Sequence, residues 1–303
     1  MLANKIINSL NKSFIIRPLF NHFTAGENII SLEKKANELS KQKILPIVDY
    51  VKEFSNNEKD IENNVHEYLT LAKASPQFIA LKLSSFDFHY CTINNLIEKM
   101  VENKKKILID AEDVKNQDKI DELTNHFVSR HNSKNNVCIY KTYQMYRNDS
   151  LKKLEKDLNN YNYIGVKIVR GAYINQDKNS GLLFNTKEQT DESFNNGLKL
   201  TIQSIRNRRD NPDSKIYALV CTHNLQSIQL MINEMKKFQE FEINKNYVHH
   251  ASLYGFINKE TKQLVNADIW TFKYLPYGKM EDAIPYLLRR IQENPKILKY
   301  CFY

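Results

Sequence analysis

Charged and amide side chains stand at the ends of apolar runs along this 303-residue chain. Lys82 closes Phe78-Ile-Ala-Leu81, Asp110 and Glu112 close Ile107-Leu-Ile109, and Gln144 closes Val137-Cys-Ile-Tyr-Lys-Thr-Tyr143. Lys167 and Arg170 lie in Ile164-Gly-Val-Lys-Ile-Val-Arg-Gly171, Thr222, His223 and Asn224 follow Ala218-Leu-Val-Cys221, and Tyr274 sits in Trp270-Thr-Phe-Lys-Tyr-Leu-Pro276. A charge buried at such a place needs a partner or a ligand. Any one of them alone reads first as a structural ion pair; six in phase at six run ends point to a shared site. Lys167 and Arg170 are three apart, so on an extended strand they point to opposite sides. Gly171 follows at once. A glycine there suits close approach of the backbone to a ligand, and a cation beside that backbone suits a phosphate. The chain has no GxGxxG and no P-loop, so a bound dinucleotide would use a barrel-type phosphate site.

A second anion-binding pattern lies near the C-terminal end, in Met280-Glu-Asp-Ala-Ile-Pro-Tyr-Leu-Leu-Arg-Arg-Ile-Gln-Glu-Asn294. Arg289 and Arg290 are adjacent, about 100° apart around a helix, and present forked donors to a small anion from two sides. Tyr286 and Glu293 fall on nearby faces. The other reading is an ordinary exposed arginine pair on an amphipathic helix.

Eight β-rich runs position these residues: 44–51, 78–86, 107–112, 137–145, 164–173, 216–224, 246–255 and 268–278. They recur about every 30 residues, the length of a βαβ unit, with one longer gap between the fifth and sixth. Helical patterns lie between them, at 93–103, 151–159, 192–206 and 280–294. Eight alternating units predict an α/β chain closed into a (βα)8 TIM-type barrel, with the active residues at the C-terminal ends of the strands. No Pro- or Gly-rich linker divides the chain. The expected organisation is an N-terminal helical segment over 1–43, packed on the barrel's exterior or bottom, and a barrel over 44–303. The polar segment from Asn175 to Asp191 is long for a βα loop, which predicts a mobile lid.

Composition narrows the function classes. Hydrophobic residues make up 42% and charged residues 26%, as in a globular protein. The net charge is +9, but the lysines are scattered among asparagines and glutamates, which reads as a solvated surface and not a nucleic-acid patch. Cys91, Cys138, Cys221 and Cys301 have neither zinc-ligand nor disulfide-framework spacing, so they are expected to be free thiols. His249 and His250, adjacent on a strand, face opposite ways and read as structural; no metal site is expected. No run of about 18 apolar residues predicts a transmembrane helix. Lys5, Lys12 and Arg17 precede the first acid, Glu27, a pattern shared by mitochondrial presequences and by a short amphipathic first helix.

Taken together, these segments resemble the proline dehydrogenase family. Lys167-Ile-Val-Arg-Gly-Ala-Tyr173 is similar to its strand-five motif, and Lys273-Tyr-Leu-Pro-Tyr-Gly278 with Tyr286-Leu-Leu-Arg-Arg-Ile-Gln-Glu-Asn294 to its strand-eight and helix-eight motif. Leu81-Lys-Leu-Ser84, Ile109-Asp-Ala-Glu112, Thr142-Tyr-Gln144 and Thr222-His-Asn224 match its other strand ends in order, and His22-Phe-Thr-Ala-Gly-Glu27 and Leu45-Pro-Ile-Val-Asp-Tyr50 extend the likeness. The forms are closer to the eukaryotic-type branch. The likeness departs at His249-His-Ala-Ser-Leu-Tyr-Gly255, where Ser252 stands in place of the usual glutamine.

The resemblance implies a monofunctional enzyme that oxidises L-proline to 1-pyrroline-5-carboxylate with FAD and passes electrons to a quinone. It implies that Arg289, Arg290 and Lys82 bind the substrate carboxylate, that Asp110 orders the pocket, and that Lys167 sits near the flavin's reactive edge. Gln144 would bond the isoalloxazine, with Ala111 and Glu293 also at the cofactor. Arg170, Gly171 and Ala172 would run along its phosphates, with Thr222, His223 and Asn224 near the ribityl or adenine part. Tyr274 would close over the proline ring. A eukaryotic version would be mitochondrial, and otherwise cytoplasmic or peripheral to a membrane; no nucleic-acid partner is expected. The alternatives are a 4-hydroxyproline dehydrogenase, in which a small residue commonly replaces Tyr274, and a non-catalytic ligand-binding barrel.

Overall fold

A computed structural model describes residues 16–55 and 57–293, with Ile16, Tyr286 and 289–293 described by backbone alone. Eight parallel strands close into a barrel in chain order: β1 (Leu45–Tyr50), β2 (Phe78–Leu81), β3 (Lys106–Ile109), β4 (Ile139–Gln144), β5 (Tyr163–Val169), β6 (Lys215–Cys221), β7 (Val248–Leu253) and β8 (Thr271–Tyr277). The ring shuts where β8 pairs with β1, from Leu45 opposite Phe272 to Tyr50 opposite Tyr277. Helices α1 (Ile16–Phe23) and α2 (Ile29–Lys41) precede it, and α3 (Glu58–Lys73), α4 (Tyr90–Glu102), α5 (Val114–His131), α6 (Ser150–Asn160), α7 (Lys187–Arg208), α8 (Leu225–Lys236), α9 (Asn258–Asn266) and α10 (Met280–Glu293) surround it. This is the expected TIM-type barrel.

The strands are apolar on both faces because both are dry. Ile47, Ala80, Leu108, Tyr140, Leu219, Ala251 and Phe272 fill the interior. Their neighbours one residue along, such as Ile79, Ile107, Ile139, Val166 and Val220, pack against the helix layer. The interior is aromatic at its lower end: Phe78 meets Phe272 edge-on with ring centroids 4.7 Å apart and Tyr140 at 6.2 Å, and His249 lies 5.7 Å from Phe272. That packed floor leaves the opposite, C-terminal end as the place where polar groups can gather.

The structure corrects one expectation and adds detail to two more. Several strands stop sooner than their apolar runs suggest: β2 ends at Leu81, where Lys82 leads into a 3-10 turn over Leu83–Phe86, and β3 ends at Ile109. Lys82 and Asp110 therefore begin loops at the barrel mouth, whereas Gln144, Lys167 and Tyr274 lie within β4, β5 and β8. The N-terminal segment packs its second helix on the outer layer, as expected, and also extends further. Its loop reaches the C-terminal rim, where Ala25 N–H donates to Pro276 O (2.8 Å) and Gly278 N–H to Gly26 O (3.1 Å). Lastly, the segment expected as a mobile lid makes several long-range hydrogen bonds. It starts with a helical turn, Ile174–Asp177. Buried Asp177 accepts from Val114 N–H (2.9 Å) and from the Tyr146 hydroxyl. Asn148 N–H reaches Leu182 O and Phe184 N–H reaches Tyr146 O.

Gly165 of β5 faces the interior, and a Cβ there would sit 2.4 Å from the Tyr140 ring. Gly165→Ala should destabilise the barrel by about 1–3 kcal/mol through overpacking, seen as a lower midpoint in denaturant unfolding with an unchanged slope.

Candidate active site

Asp110 organises the barrel mouth. Its Oδ1 accepts from Lys167 Nζ at 2.6 Å, its Oδ2 accepts from the Tyr274 hydroxyl at 2.6 Å, and Lys82 Nζ stands 3.8 Å from Oδ2. Lys82 in turn donates to Asp49 Oδ1. The loop after β3 thus draws together groups from β2, β5 and β8. The side-chain period of two makes this possible: Ile47 and Asp49, Ala80 and Lys82, and Leu108 and Asp110 share inward faces, with the charges one layer above the apolar core. The Lys167 ammonium also lies over the Tyr274 ring, 4.6 Å from its centroid.

Burial works against the Asp110 carboxylate, but Lys167 and Lys82, aided by the Tyr274 hydroxyl, hold its pKa below the usual range. Burial also opposes the Lys82 ammonium, and Asp49 and Asp110 outweigh it, holding the pKa well above that of a free lysine. Asp49 is different. Burial dominates there and raises its pKa despite Lys82, with Asp110 adding to the rise. The ladder Asp49, Lys82, Asp110, Lys167 alternates in sign and is neutral as a whole.

Asp49 is the site residue that sequence reasoning missed. Its signal was present, since it ends the apolar run Leu45-Pro-Ile-Val just as Lys82 ends its own. Glu112, one inward step above Asp110, is also fully buried: Oε1 accepts from Ser84 N–H at 3.1 Å, and among the described residues Oε2 accepts no hydrogen bond. Burial raises its pKa to about 7.

The second cluster surrounds Arg170, which leaves the strand on the side opposite Lys167, as expected. Its Nε donates to Asp191 (2.6 Å), Nη1 to Thr222 (2.7 Å) and Nη2 to Ser227 (2.9 Å), and its guanidinium lies on the Phe194 ring. Gly171 has φ +139°, and a Cβ there would meet the Tyr146 ring at 2.0 Å. Close approach does require this glycine, but what approaches is a tyrosine of the protein. Gln144 bridges the two clusters, donating to Glu112 O (2.7 Å) and accepting from Ala172 N–H (3.1 Å). Its amide faces backbone at both ends.

Asn224 caps α8, its Oδ1 accepting from Gln226 and Ser227 N–H. His223 Nε2 accepts from Leu253 N–H (3.0 Å), and its ring stacks on Phe256. Ser252 faces outward, where Lys273 Nζ donates to its Oγ at 2.9 Å, so the departure in strand seven falls outside the barrel mouth. Burial lowers the Lys273 pKa to about 7. His249 and His250 do face opposite ways: His249 stacks on Trp270, and His250 Nε2 lies 3.0 Å from Thr222 O. Ala111 lies between Asp110 and Glu112. Arg289, Arg290 and Glu293 lie outside the described residues as side chains, although the backbone of their helix is described. That helix is braced by the N-terminal segment: Phe20 packs with Val51 and Ala283, and Met280 N–H meets Glu27 Oε2 at 3.3 Å.

Comparison with known proteins gives a family model, proline dehydrogenase, that matches residues 32–300. The chain is 28% identical over 220 residues to the mitochondrial proline dehydrogenase 1 of Drosophila melanogaster, covering 68% of this chain and 32% of that protein. It is 26% identical over 221 residues to the hydroxyproline dehydrogenase of Bos taurus, covering 68% of this chain and 46% of that one. The chain therefore spans less than half of either relative. Among solved structures, proline utilization A of Bdellovibrio bacteriovorus superposes with a TM-score of 0.81 at 17% identity, over 95% of this chain and 34% of that one. That likeness is one of fold.

Two outcomes follow from the geometry. Asp110→Asn should cost about 3–5 kcal/mol of stability by breaking a buried pair, and Tyr274→Phe only about 1 kcal/mol, both read from denaturant unfolding. Glu112 supplies the pH test. The folded protein holds its proton up to about pH 7, whereas the unfolded chain releases it near the ordinary glutamate value of 4.5. Its contribution is thus favourable at low pH and is lost as pH rises across that window. Glu112→Gln should flatten the stability profile there; an unchanged profile would exclude this titration.

Proposed function

We propose, for a chain that belongs to the proline dehydrogenase family, that it oxidises L-proline to 1-pyrroline-5-carboxylate. The carrying observation is the neutral ladder built on Asp110, at the strand ends where barrel enzymes hold their substrates. Its two ammoniums are already matched by Asp49 and Asp110, so a substrate carboxylate needs further cations. The arginine pair of α10 meets that need: Arg289 and Arg290 hold the carboxylate from two sides, with Lys82 at the base. Tyr274, fixed by Asp110 and Lys167, covers the proline ring. The ladder then sets the angle at which C5 faces its acceptor, and such orientation is a large part of the rate.

FAD supplies the hydride acceptor when bound. The residues present suit it. Arg170, held on the Phe194 ring by Asp191, Thr222 and Ser227, would take the phosphates by exchanging Asp191 for them, and the backbone at Gly171 and Ala172 would join it once Tyr146 and Gln144 give way. Gln144 and Ala111 would border the ring system, where Lys167, shared with Asp110, would face negative charge on it. Thr222, His223, Asn224 and Glu293 border the remainder of the cofactor. Electrons leave to a quinone. The eukaryotic-type motifs favour a mitochondrial setting, with contact at a membrane surface and no spanning helix among the described residues.

A 4-hydroxyproline dehydrogenase is the second reading, favoured by the bovine relative. Tyr274 argues against it, because the resemblance implies a small residue at that position in a hydroxyproline-oxidising enzyme. Three measurements test the proposal. Purified protein should be yellow and should bleach on adding proline. Proline should have the higher kcat/KM of the two amino acids, and the reverse order would sink the assignment. Arg289→Met or Arg290→Met should raise KM for proline at least tenfold, about 1.4 kcal/mol, with flavin content intact; a colourless variant would move that arginine to the cofactor.

A further inference from the structure

One carboxylate of the barrel mouth has no part in the reaction as described. Asp49 is fully buried on the inner face of β1. Among the described residues its Oδ1 meets Lys82, and its Oδ2 accepts no hydrogen bond. The groups facing it are Lys82 from the end of β2, Asp110 from the end of β3, Glu53 from the loop after its own strand, and Tyr68 from α3. Lys82 is the one cation of that set. Asp110 is better provided: it keeps Lys167 at 2.6 Å and the Tyr274 hydroxyl at 2.6 Å whatever Lys82 does.

A ligand carboxylate held by Arg289 and Arg290 on one side and by Lys82 on the other would be the third anion, with Asp49 and Asp110, around this one buried ammonium. Like charges this close in a low dielectric do not all stay ionised. The acid with the fewest partners gives way first, and that acid is Asp49. We propose that binding of a carboxylate ligand at Lys82 makes Asp49 take up one proton from solvent, with Oδ2 as the oxygen left open for it. This rests on the reading of the mouth as an amino-acid carboxylate site. Asp49 is thereby a positioning residue: in its neutral form it releases Lys82 to the ligand, and as an anion it takes Lys82 back when the ligand leaves. The sign follows from linkage. Uptake on binding means that affinity falls as pH rises, by up to about tenfold per pH unit. The window lies between the titration of Asp49 without ligand, which burial has already raised, and its still higher titration with ligand.

The test is calorimetric binding of cyclopentanecarboxylate, which has no amine to titrate, to the full chain as purified. The same titration is run in phosphate and in Tris at one pH, and the difference in heat reports the protons taken up. About one proton is expected for the unaltered protein, and none for Asp49→Asn. Heats that do not depend on the buffer would overturn the proposal, as would uptake that persists in Asp49→Asn and disappears in Glu112→Gln, since the proton would then sit on Glu112. Should Asp49→Asn fail to fold, the pH dependence of affinity in the unaltered protein decides: a fall toward tenfold per unit supports the proposal, and a flat profile overturns it. Absence of any binding would remove the carboxylate-site reading and this proposal with it. Binding without proton uptake would remove the proposal alone.

Discussion

A carboxylate whose two oxygens are claimed from opposite walls of a barrel holds this mouth in shape. Lys167 on β5 and Tyr274 on β8 meet at Asp110, and Lys82 joins it to Asp49 on β1. At that depth a charge or a hydroxyl has to be met by such partners. The interaction is strong because water is excluded, and water is excluded because the aromatic floor and the helix layer leave no dry alternative for polar groups. Packing and electrostatics thus fix one another: the apolar interior forces the charges to a single level, and the pairing of those charges fixes how the strand ends stand.

The second cluster follows the same logic with a different partner set. Arg170 is held by Asp191 of α7 and by Thr222 and Ser227 of the β6–α8 junction. Gln144 ties the two clusters through backbone, so a shift at Ala172 is felt at Glu112. Rigid coupling of this kind is what a site needs when its task is to hold two reacting groups at a set distance.

Much of this is legible in the residues. The barrel can be read from alternating runs, because strand and helix periods leave separate marks on a sequence. The inward-facing polar residues can be read as well, because a lysine or aspartate that ends an apolar run must meet a partner or a ligand once it is buried. Less legible is who pairs with whom. Asp49 is hard to single out because its importance depends on β1 lying beside β2 at the register that sets Asp49 opposite Ala80. Gly171 signals a close approach, but only the fold shows that Tyr146 makes it. The segment after β5 looks loose because it is polar, whereas Asp177, Leu182 and Phe184 bond to residues far away in the chain. The N-terminal helices give no hint of reaching the rim, since that depends on where β8 ends.

The contact between the first and last strands sets a timetable for the molecule. Asp49 emerges from the ribosome early and Tyr274 late, and the interval is roughly 10–50 s at ordinary rates of synthesis. Through that time β1 has a bare edge, and the acid that later sits in the driest part of the mouth is still wet. Closure of the ring is therefore also the moment of dehydration for the ladder. Any slowing between β1 and β8, by temperature or by a pause in translation, prolongs the life of an open strand edge, the form of the chain most prone to pair with its neighbours.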